Sequence, residues 1–492
     1  MNQNTNNKED RALLQNIAEF AMADRGFYPE FSQEVFRELE NIHGPAEATD
    51  PSIQDLRQLL WCSIDNDDSL DLDQLTVAIP IDASQTKILV AIADVDALVK
   101  KDSAIDQHAK HNTTSVYTDA EIFPMLPVKL STNLTSLNLN EDRLAVVFEM
   151  TIAKDGTLVD SKIYRARVNN HAKLAYNSVA PWLDNEEPVP ENIKDIPGLE
   201  ENIRLQHKVA DDLKALRQRN GSLNFNTIKT KAVFEGEKVK ELSIEKSNSA
   251  KNLIEEFMVA ANGVSARYLF AKNLPSVRRI VRVPKRWDRI MELAKEWGHT
   301  LPEVPDSEAL DLFLRKAHNT DSLRFPDLSL SVIKLLGPGE YVIEFPNEKP
   351  IGHFGLAIKD YSHSTAPNRR YPDIITQRLL KAALVDAPMP YNKDELLELA
   401  AHCTVGEDEA KKVERQMTKS ANAILMETKI GEKFNALVTG ATERSMWVRL
   451  LYPPIEGKLM NPSKGLDVGD RLQVQLVHTD VERGFIDFKE IR

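Results

Sequence analysis

The stretch IDNDDSLDLDQ, residues 64–74, contains five aspartates within nine residues and comes directly before a strand-like run that begins at Leu75. Carboxylates this close repel one another unless a cation or a basic group compensates them. Oxygen ligands suit Mg²⁺ or Mn²⁺, and paired metals about 3.5–4 Å apart activate water during nucleic-acid hydrolysis. A solvated acidic loop is the alternative interpretation. A calcium loop is disfavoured because the central Gly and the terminal Glu of that motif are not where its spacing requires them.

Outward from this stretch, the sequence predicts one large α+β unit. Residues 75–79 and 87–93 are rich in the β-branched and apolar side chains that favour strands. Helical patterns follow, at 198–219, 250–271 and 369–386. Before the unit, residues 9–43 have helical periodicity that ends at Gly44-Pro45. We therefore expect a helical N-terminal segment over residues 1–50 and one large α+β domain over residues 51–390.

The C-terminal part has a different pattern. A helical connection is predicted over residues 391–430, and short strands separated by turn residues follow from Gly431 to the C-terminus. Three of the strand-like runs are 434–438, 446–451 and 471–477, with Val468-Gly469-Asp470 before the last of them. About 60 residues in five short strands suit an OB-type barrel, so we expect residues 431–492 to form a separate OB-fold domain.

Composition limits the function classes. The chain has 492 residues, of which 42% are hydrophobic, and no apolar run is long enough to span a bilayer. A polar N-terminus and only two cysteines favour a reducing, cytoplasmic location without membrane association. The net charge of −13 argues against a phosphate-backbone partner. Residues 272–289, however, carry seven basic side chains against one acidic one, which indicates either a basic channel or a solvated face.

A second motif lies about 300 residues downstream. It consists of HFGLAI at residues 353–358 and DYSHSTAPNRRYPD at residues 360–373. Paired arginines after a Pro-containing turn can hold a scissile phosphate through bidentate hydrogen bonds. Taken alone, such arginines are more often ordinary charges at the start of a helix.

Together, the two motifs resemble the signatures of the ribonuclease II (RNB-domain) family. The acidic stretch is similar to the pattern Ile-Asp-x5-Asp-x-Asp-Asp, and three further matches occur in the family order, at residues 92–95, 123–127 and 253–262. The resemblance covers roughly residues 50–385, and the C-terminal domain looks like the OB fold of ribosomal-protein-S-one type that usually closes these enzymes. The family resemblance implies a Mg²⁺-dependent 3'-to-5' exoribonuclease, with Mn²⁺ as an alternative metal. It also implies that single-stranded RNA enters a narrow channel and is released as nucleoside 5'-monophosphates.

The resemblance also implies roles for individual residues. Asp65, Asp71 and Asp73 match acidic positions of the family site and are candidate catalytic residues and metal ligands, together with Arg369 as the phosphate-contacting arginine. Tyr117 matches an aromatic that stacks the terminal base, although a core tyrosine is the alternative. The remaining candidates for RNA binding are Phe225, Glu256, Arg370, Trp447 and Arg449. For Trp447, filling the barrel core is the competing interpretation.

The chain departs from the family pattern in three places. The last aspartate of the acidic signature is Gln74, whose amide oxygen can bind a metal but carries no charge, and Ser-Pro-Ile of the second signature has become Ala366-Pro367-Asn368. The helical N-terminal segment is too short for the cold-shock domains of long family members, so we expect a short form. The leading hypothesis is an active, monomeric exoribonuclease. An RNA-binding regulatory protein with a degenerate site, and a nuclease acting on DNA, remain open alternatives.

Overall fold

The computed structural model describes residues 10–225, 229–245, 247–322, 324–346, 348, 351–442, 445–466 and 470–491. The first nine residues of the predicted N-terminal segment and the predicted Val468-Gly469 turn lie outside these ranges. None of the described helices is long and apolar enough to cross a membrane.

The N-terminal segment forms two helices where one continuous helical pattern was predicted. They are α1 (Asp10–Asp24) and α2 (Gln33–Glu40). Gly26 has a φ of 82°, in the left-handed region that ends helices. The side chain of Ser32 caps α2 by accepting from the backbone N–H of Val35. The apolar face of α1 is buried through Leu14, Ile17, Ala18, Ala21 and Met22.

A seven-stranded sheet forms the centre of the large α+β domain, in the order β1-β8-β7-β4-β3-β2-β9. Its central strand β4 pairs antiparallel with β3 and β7, whereas β2 pairs parallel with β9. The predicted strands at 75–79 and 87–93 are both found here. The strands are β1 (Gln54–Asp55), β2 (Cys62–Asp65), β3 (Gln74–Pro80), β4 (Gln85–Ala93), β5 (Val116–Tyr117), β6 (Ile122–Phe123), β7 (Asp142–Ala153), β8 (Leu158–Asn169) and β9 (Ala172–Ala175).

The described part of this domain also contains nine α-helices and three two-stranded sheets. The predicted helices at 198–219, 250–271 and 369–386 correspond to α6, α7 and α11. The helices are α3 (Ala104–Asn112), α4 (Tyr176–Leu183), α5 (Glu191–Lys194), α6 (Leu199–Arg219), α7 (Ser249–Ala271), α8 (Trp287–Glu296), α9 (Ser307–Thr320), α10 (Phe325–Leu336) and α11 (Tyr371–Leu384). The pairs are β5 with β6, β10 (Lys229–Glu235) with β11 (Lys238–Glu245), and β12 (Ser276–Val281) with β13 (Gly339–Glu344).

A closed five-stranded barrel, β14-β15-β16-β18-β17, follows the long helix α12 (Lys393–Glu427). Its strands are β14 (Lys433–Ala441), β15 (Met446–Leu450), β16 (Glu456–Met460), β17 (Arg471–Asp480) and β18 (Phe485–Glu490). Both the mixed α and β domain and the OB-type barrel are therefore confirmed. The helix α12 is more than a connection: it buries Leu399, Cys403, Val413 and Met417, and Met426 near its end joins the barrel core.

Candidate active site

The acidic stretch forms the connection between two neighbouring strands. Asp65 is the last residue of β2, Asp71 and Asp73 lie in the loop that follows, and Gln74 begins β3. Backbone hydrogen bonds fix the loop: Ser136 Oγ accepts from the N–H of Leu72 at 2.9 Å, and Asp73 O accepts from the N–H of Ala93 at 2.9 Å. The loop therefore holds its carboxylates beside the central sheet.

The guanidinium of Arg369 lies among the three aspartates. Its Nη2 is 3.0 Å from Asp65 Oδ2, and its Nε is 2.9 Å from Asp71 Oδ2 and 3.2 Å from Asp73 Oδ2. The sequence predicted all four residues for one site, and the structure brings them together. The arginine supplies the positive charge that compensates this crowding of carboxylates.

Asp73 occupies the most buried position of the cluster, with no solvent exposure. Burial raises the pKa of Asp73 to about 7; the Arg369 charge opposes this rise and the neighbouring Asp71 charge adds to it. One carboxylate oxygen, Oδ1, accepts from the backbone N–H of Asn368 at 2.9 Å. The other, Oδ2, has no hydrogen bond of good geometry, and its neighbouring positive charge is the Arg369 Nε at 3.2 Å. A buried carboxylate depends on such a cationic neighbour, because burying a charge without one is costly.

These residues fit a divalent metal by their chemistry. The donor set is made entirely of oxygens, which Mg²⁺ and Mn²⁺ prefer, and the buried Asp73 Oδ2 has an ion pair with Arg369 but no hydrogen bond of good geometry. Within the described ranges, no group of three or more His, Cys, Asp or Glu side chains is arranged to hold an ion as it stands. The position between the carboxylates is taken by the Arg369 guanidinium, so binding of a metal there requires that side chain to move.

The segment before α11 sets the position of Arg369. The carbonyl of Arg369 accepts from the N–H of Ser115 at 2.8 Å, and the N–H of Tyr371 donates to Thr113 O at 2.8 Å. Asn368 is buried, and its side-chain oxygen accepts from the Thr135 hydroxyl. Sequence reasoning treated Asn368 only as a mild departure from the family pattern. It missed that the Asn368 N–H donates to Asp73, because a backbone contact between residues so far apart leaves no sequence signal.

Tyr117 lies at the edge of the same cluster. Its hydroxyl donates to Asp71 Oδ2 at 3.0 Å, and its side chain is 38% exposed. The alternative of a core tyrosine is therefore wrong. The ring is available to a ligand next to the carboxylates, while its role in base stacking stays a prediction.

Gln74 is half-buried at the start of β3 and pairs with Ile92 of β4. The described residues include no hydrogen-bond partner for its side-chain amide, and its role as a metal ligand stays a prediction. The other two aspartates of the stretch are held elsewhere: Asp67 accepts from Asn177 at 3.3 Å, and Asp68 lies 3.7 Å from Lys231.

Phe225 and Glu256 line one cavity of about 420 Å³, together with Arg217 and His353. The Glu256 carboxylate accepts two hydrogen bonds from Arg217, at 2.7 Å from Nε and 2.6 Å from Nη2. Burial lowers the pKa of His353 to about 4, and the charges of Arg279 and Arg217 reinforce this shift. Asp65, Asp71 and Asp73 do not line this cavity, so the structure brings Phe225 and Glu256 to each other rather than to the carboxylates.

Arg370 points away from the carboxylate cluster. It donates two hydrogen bonds of 2.8 Å to Asp373, which lies in the first turn of α11 and also accepts from the N–H of Ala366. An arginine held in this bidentate way stabilises the start of the helix. Its predicted contact with RNA stays a prediction.

In the barrel, Met446, Val448 and Leu450 of β15 point into the core, so Trp447 and Arg449 between them point outward. The alternative in which Trp447 fills the barrel core is therefore wrong. Arg449 forms an ion pair with Asp327 of α10, which joins the barrel to the large α+β domain. Binding of RNA by Trp447 and Arg449 stays a prediction.

The basic run at 272–289 is largely neutralised by acidic partners. Arg278 pairs with Glu344, and the other paired members are Lys272 with Asp386, Arg279 with Glu407, Arg282 with Glu340 and Arg289 with Glu292. These partners are far away in sequence, except for Glu292. The predicted excess of positive charge is therefore much smaller in the fold than in the sequence.

Comparison with known proteins gives matches over both the large domain and the barrel. Residues 53–386 match the RNB domain family, and residues 432–491 match the RNase II-type exonuclease C-terminal S1 domain. Ribonuclease R of Vibrio parahaemolyticus is 30% identical over 502 residues, covering 94% of this chain. The chain spans only 59% of the length of that relative.

Two solved structures share the fold. Mycoplasma genitalium RNase R in complex with ribose methylated single-stranded RNA superposes with a TM-score of 0.87 at 24% identity, covering 99% of this chain and 79% of the other. Yeast Ssd1, described as a pseudonuclease, superposes with a TM-score of 0.73 at 16% identity, covering 94% of this chain and 57% of the other. At these identities the likeness concerns the fold alone.

Proposed function

Because the chain belongs to the RNB domain family, we propose that it is a 3'-to-5' exoribonuclease that hydrolyses single-stranded RNA to nucleoside 5'-monophosphates. The observation that carries this proposal is the cluster of Asp65, Asp71 and Asp73 around Arg369. The cluster combines carboxylate oxygens for a divalent metal with a guanidinium that can pair with a phosphate.

The contacts suggest a separate role for each residue of the cluster. Asp65, Asp71 and Asp73 would hold Mg²⁺, with Mn²⁺ as a substitute, and a bound metal would supply the charge that activates water and stabilises the leaving oxygen. The Arg369 guanidinium exchanges its carboxylate partners for the non-bridging oxygens of the scissile phosphate. Tyr117 offers an exposed ring beside Asp71 on which the terminal base stacks, and such stacking contributes about 1–3 kcal/mol per base.

We also propose the substrate, its further contacts, the cellular location and the oligomeric state. Its substrate is single-stranded RNA, for which Phe225 is a second stacking aromatic and Glu256 a contact to the terminal ribose. Arg370, Trp447 and Arg449 add RNA contacts, the last two from the barrel. Both cysteines are buried free thiols, which favours a reducing cytoplasm. We expect a monomer.

The chemistry can be tested by identifying products. Internally labelled single-stranded RNA should release only nucleoside 5'-monophosphates, and an oligonucleotide blocked at its 3' end should resist. An unblocked oligonucleotide with 2'-deoxyriboses near its 3' end separates an RNA enzyme from a DNA enzyme, because only the former needs the 2'-hydroxyl. Equal cleavage of the deoxy substrate would contradict the proposed specificity.

One observation favours a second candidate, an RNA-binding regulatory protein. Gln74 stands where the family has an aspartate, so the cluster has one carboxylate fewer to attract a metal. The fold does not separate the two functions, since it also occurs in a protein described as a pseudonuclease. Tight RNA binding without any release of nucleotides in Mg²⁺ or Mn²⁺ would favour this second function.

A further inference from the structure

A cavity of about 1170 Å³ lies between the N-terminal segment, α3 and the beginning of α12. None of the residues proposed for RNA binding or catalysis lines it. Its walls include Tyr28 and Phe31 from the connection between α1 and α2, His108 from α3, and Leu399 from α12. The volume exceeds the range of about 300–1,000 Å³ that is typical of small-molecule sites, so it has room for a segment of polypeptide.

The lining of this cavity is strongly acidic. Lys110 is the only lysine or arginine among its lining residues. Five glutamates line it, namely Glu19, Glu30, Glu34, Glu395 and Glu398. Glu395 pairs with Lys101 at 2.9 Å, and Glu34 lies 3.9 Å from Arg37. The other three have no ion-pair partner in the part of the chain that the structure describes. A positively charged ligand therefore finds several uncompensated carboxylates at this surface.

Aromatic rings form the second component of the wall. The Tyr28 ring stacks on His111, with centroids 3.7 Å apart and planes 6° apart, and Tyr28 is 54% exposed. Phe31 packs against His108 with centroids 4.3 Å apart. Exposed faces of aromatic rings attract lysine and arginine side chains and their apolar stems.

The buried His108 adds a directed hydrogen-bond donor. Asn112 Oδ1 accepts from the N–H of Tyr28 and Asn112 Nδ2 donates to Tyr28 O, so the amide orientation is fixed. Asn112 Nδ2 therefore also donates to His108 Nε2 at 3.2 Å, which makes Nε2 the acceptor. Burial lowers the pKa of His108 to about 4, so the ring is neutral and its proton is on Nδ1. Nδ1 has no partner among the described residues, although the ring is 94% buried and lines the cavity.

We propose that this cavity binds a basic peptide segment of another protein, with lysine or arginine side chains on Glu30 and Glu398 and a backbone carbonyl on His108 Nδ1–H. A peptide combines the two chemistries that the wall offers, cationic side chains and a carbonyl acceptor. A polyamine matches the carboxylates and rings but has no acceptor for the His108 donor. This inference does not depend on the proposed nuclease activity.

The test uses the full chain, free of RNA, and a fluorescein-labelled hexapeptide of alternating arginine and leucine. We expect saturable binding by fluorescence anisotropy that weakens as salt rises, and no binding of the matched peptide with glutamate in place of arginine. The double variant Glu30→Gln/Glu398→Gln should bind the peptide about tenfold more weakly. The control variant Glu186→Gln/Glu187→Gln, whose sites are also exposed and do not line the cavity, should bind like the wild type.

The His108 donor is tested separately. His108→Phe keeps an aromatic ring against Phe31 but removes the N–H. We expect this variant to bind the hexapeptide about five- to tenfold more weakly than the wild type. His108→Gln, which retains a donor, should recover part of this loss, whereas a purely structural role would give the same loss in both variants. Thermal melting of each variant identifies any that fail to fold.

Three results would overturn the proposal. The first is equal peptide binding by the Glu30→Gln/Glu398→Gln variant and the wild type. The second is tighter binding of spermidine than of the peptide, which would assign the cavity to polyamines. The third is concentration-dependent dimerisation in sedimentation that the same two glutamate substitutions abolish, which would assign the surface to a second copy of this chain.

Discussion

The substitution Asp73→Asn is expected to abolish cleavage while stabilising the metal-free protein. Asp73 is fully buried, and burial raises its pKa to about 7 from an ordinary value near 4. The folded state therefore holds the proton more tightly than the unfolded state. The contribution of this group to stability is greatest below pH 4 and is lost as the pH rises towards 7.

The magnitude follows from that pKa. A difference of about three units corresponds to about 4 kcal/mol by which the ionised carboxylate destabilises the metal-free fold at neutral pH, and this is an upper limit. Asparagine keeps the acceptor for the Asn368 N–H, but its amide N–H groups face the Arg369 guanidinium. We therefore expect a net stabilisation of about 1–3 kcal/mol, or a rise in Tm of several degrees in the presence of EDTA.

Thermal melts with EDTA and with Mg²⁺ are the assay, and Asp94→Asn is the matched control. Asp94 is also buried in the central body, but it is paired with Arg165 and Lys381 at 2.7 Å each. Removing its charge leaves Arg165 without an ion-pair partner in the described part of the chain, whereas Lys381 keeps Asp96 at 2.7 Å, so Asp94→Asn should destabilise by about 3 kcal/mol. Mg²⁺ should raise the Tm of the wild type and not that of Asp73→Asn. If both variants lowered the metal-free Tm equally and Mg²⁺ stabilised Asp73→Asn like the wild type, Asp73 would be a structural residue.

Four further outcomes are expected. Arg369→Ala should cost about 2–4 kcal/mol of transition-state stabilisation, and a steady-state rate within threefold of wild type would show that the arginine is structural. Tyr117→Ala should leave an end product several nucleotides longer on a denaturing gel with the initial rate on long RNA little changed, and an unshifted ladder would exclude stacking there. Gln74→Asp should tighten Mn²⁺ binding measured by titration calorimetry, and unchanged affinity would place position 74 outside the metal site. Truncation before Gly431 should raise KM for long RNA and preserve cleavage of short oligonucleotides, whereas loss of activity on every length would make the barrel part of the active fold.

Local sequence patterns predicted the regular elements well. The strands at 75–79 and 87–93 are rich in β-branched and apolar residues, and α6, α7 and α11 have long helical periodicity. Each of these signals is contained within a single segment of the sequence. The N-terminal helical pattern was only partly correct, because the break between α1 and α2 depends on Gly26 in a left-handed conformation. An isolated glycine is also tolerated inside helices, so Gly26 alone did not show that the first helix ends there.

The candidate site was predicted as a set of residues but not as an arrangement. The acidic stretch and the arginine pair are sequence motifs, and their convergence followed from the family resemblance. Sequence reasoning could not foresee that the Arg369 guanidinium lies among the carboxylates, or that Tyr117 donates to Asp71. It also could not foresee that Glu256 is held by Arg217, since each contact joins segments that only the complete fold brings together.

The most direct measurement is the shortening of single-stranded RNA labelled at its 5' end. With Mg²⁺ or Mn²⁺, the wild type should produce a ladder that shortens progressively from the 3' end, and EDTA should abolish it. Asp73→Asn should bind the same RNA with nearly unchanged affinity and leave it intact. If the wild type bound the RNA but left it intact with either metal, or if Asp73→Asn shortened it at the wild-type rate, the proposed exoribonuclease site would be contradicted.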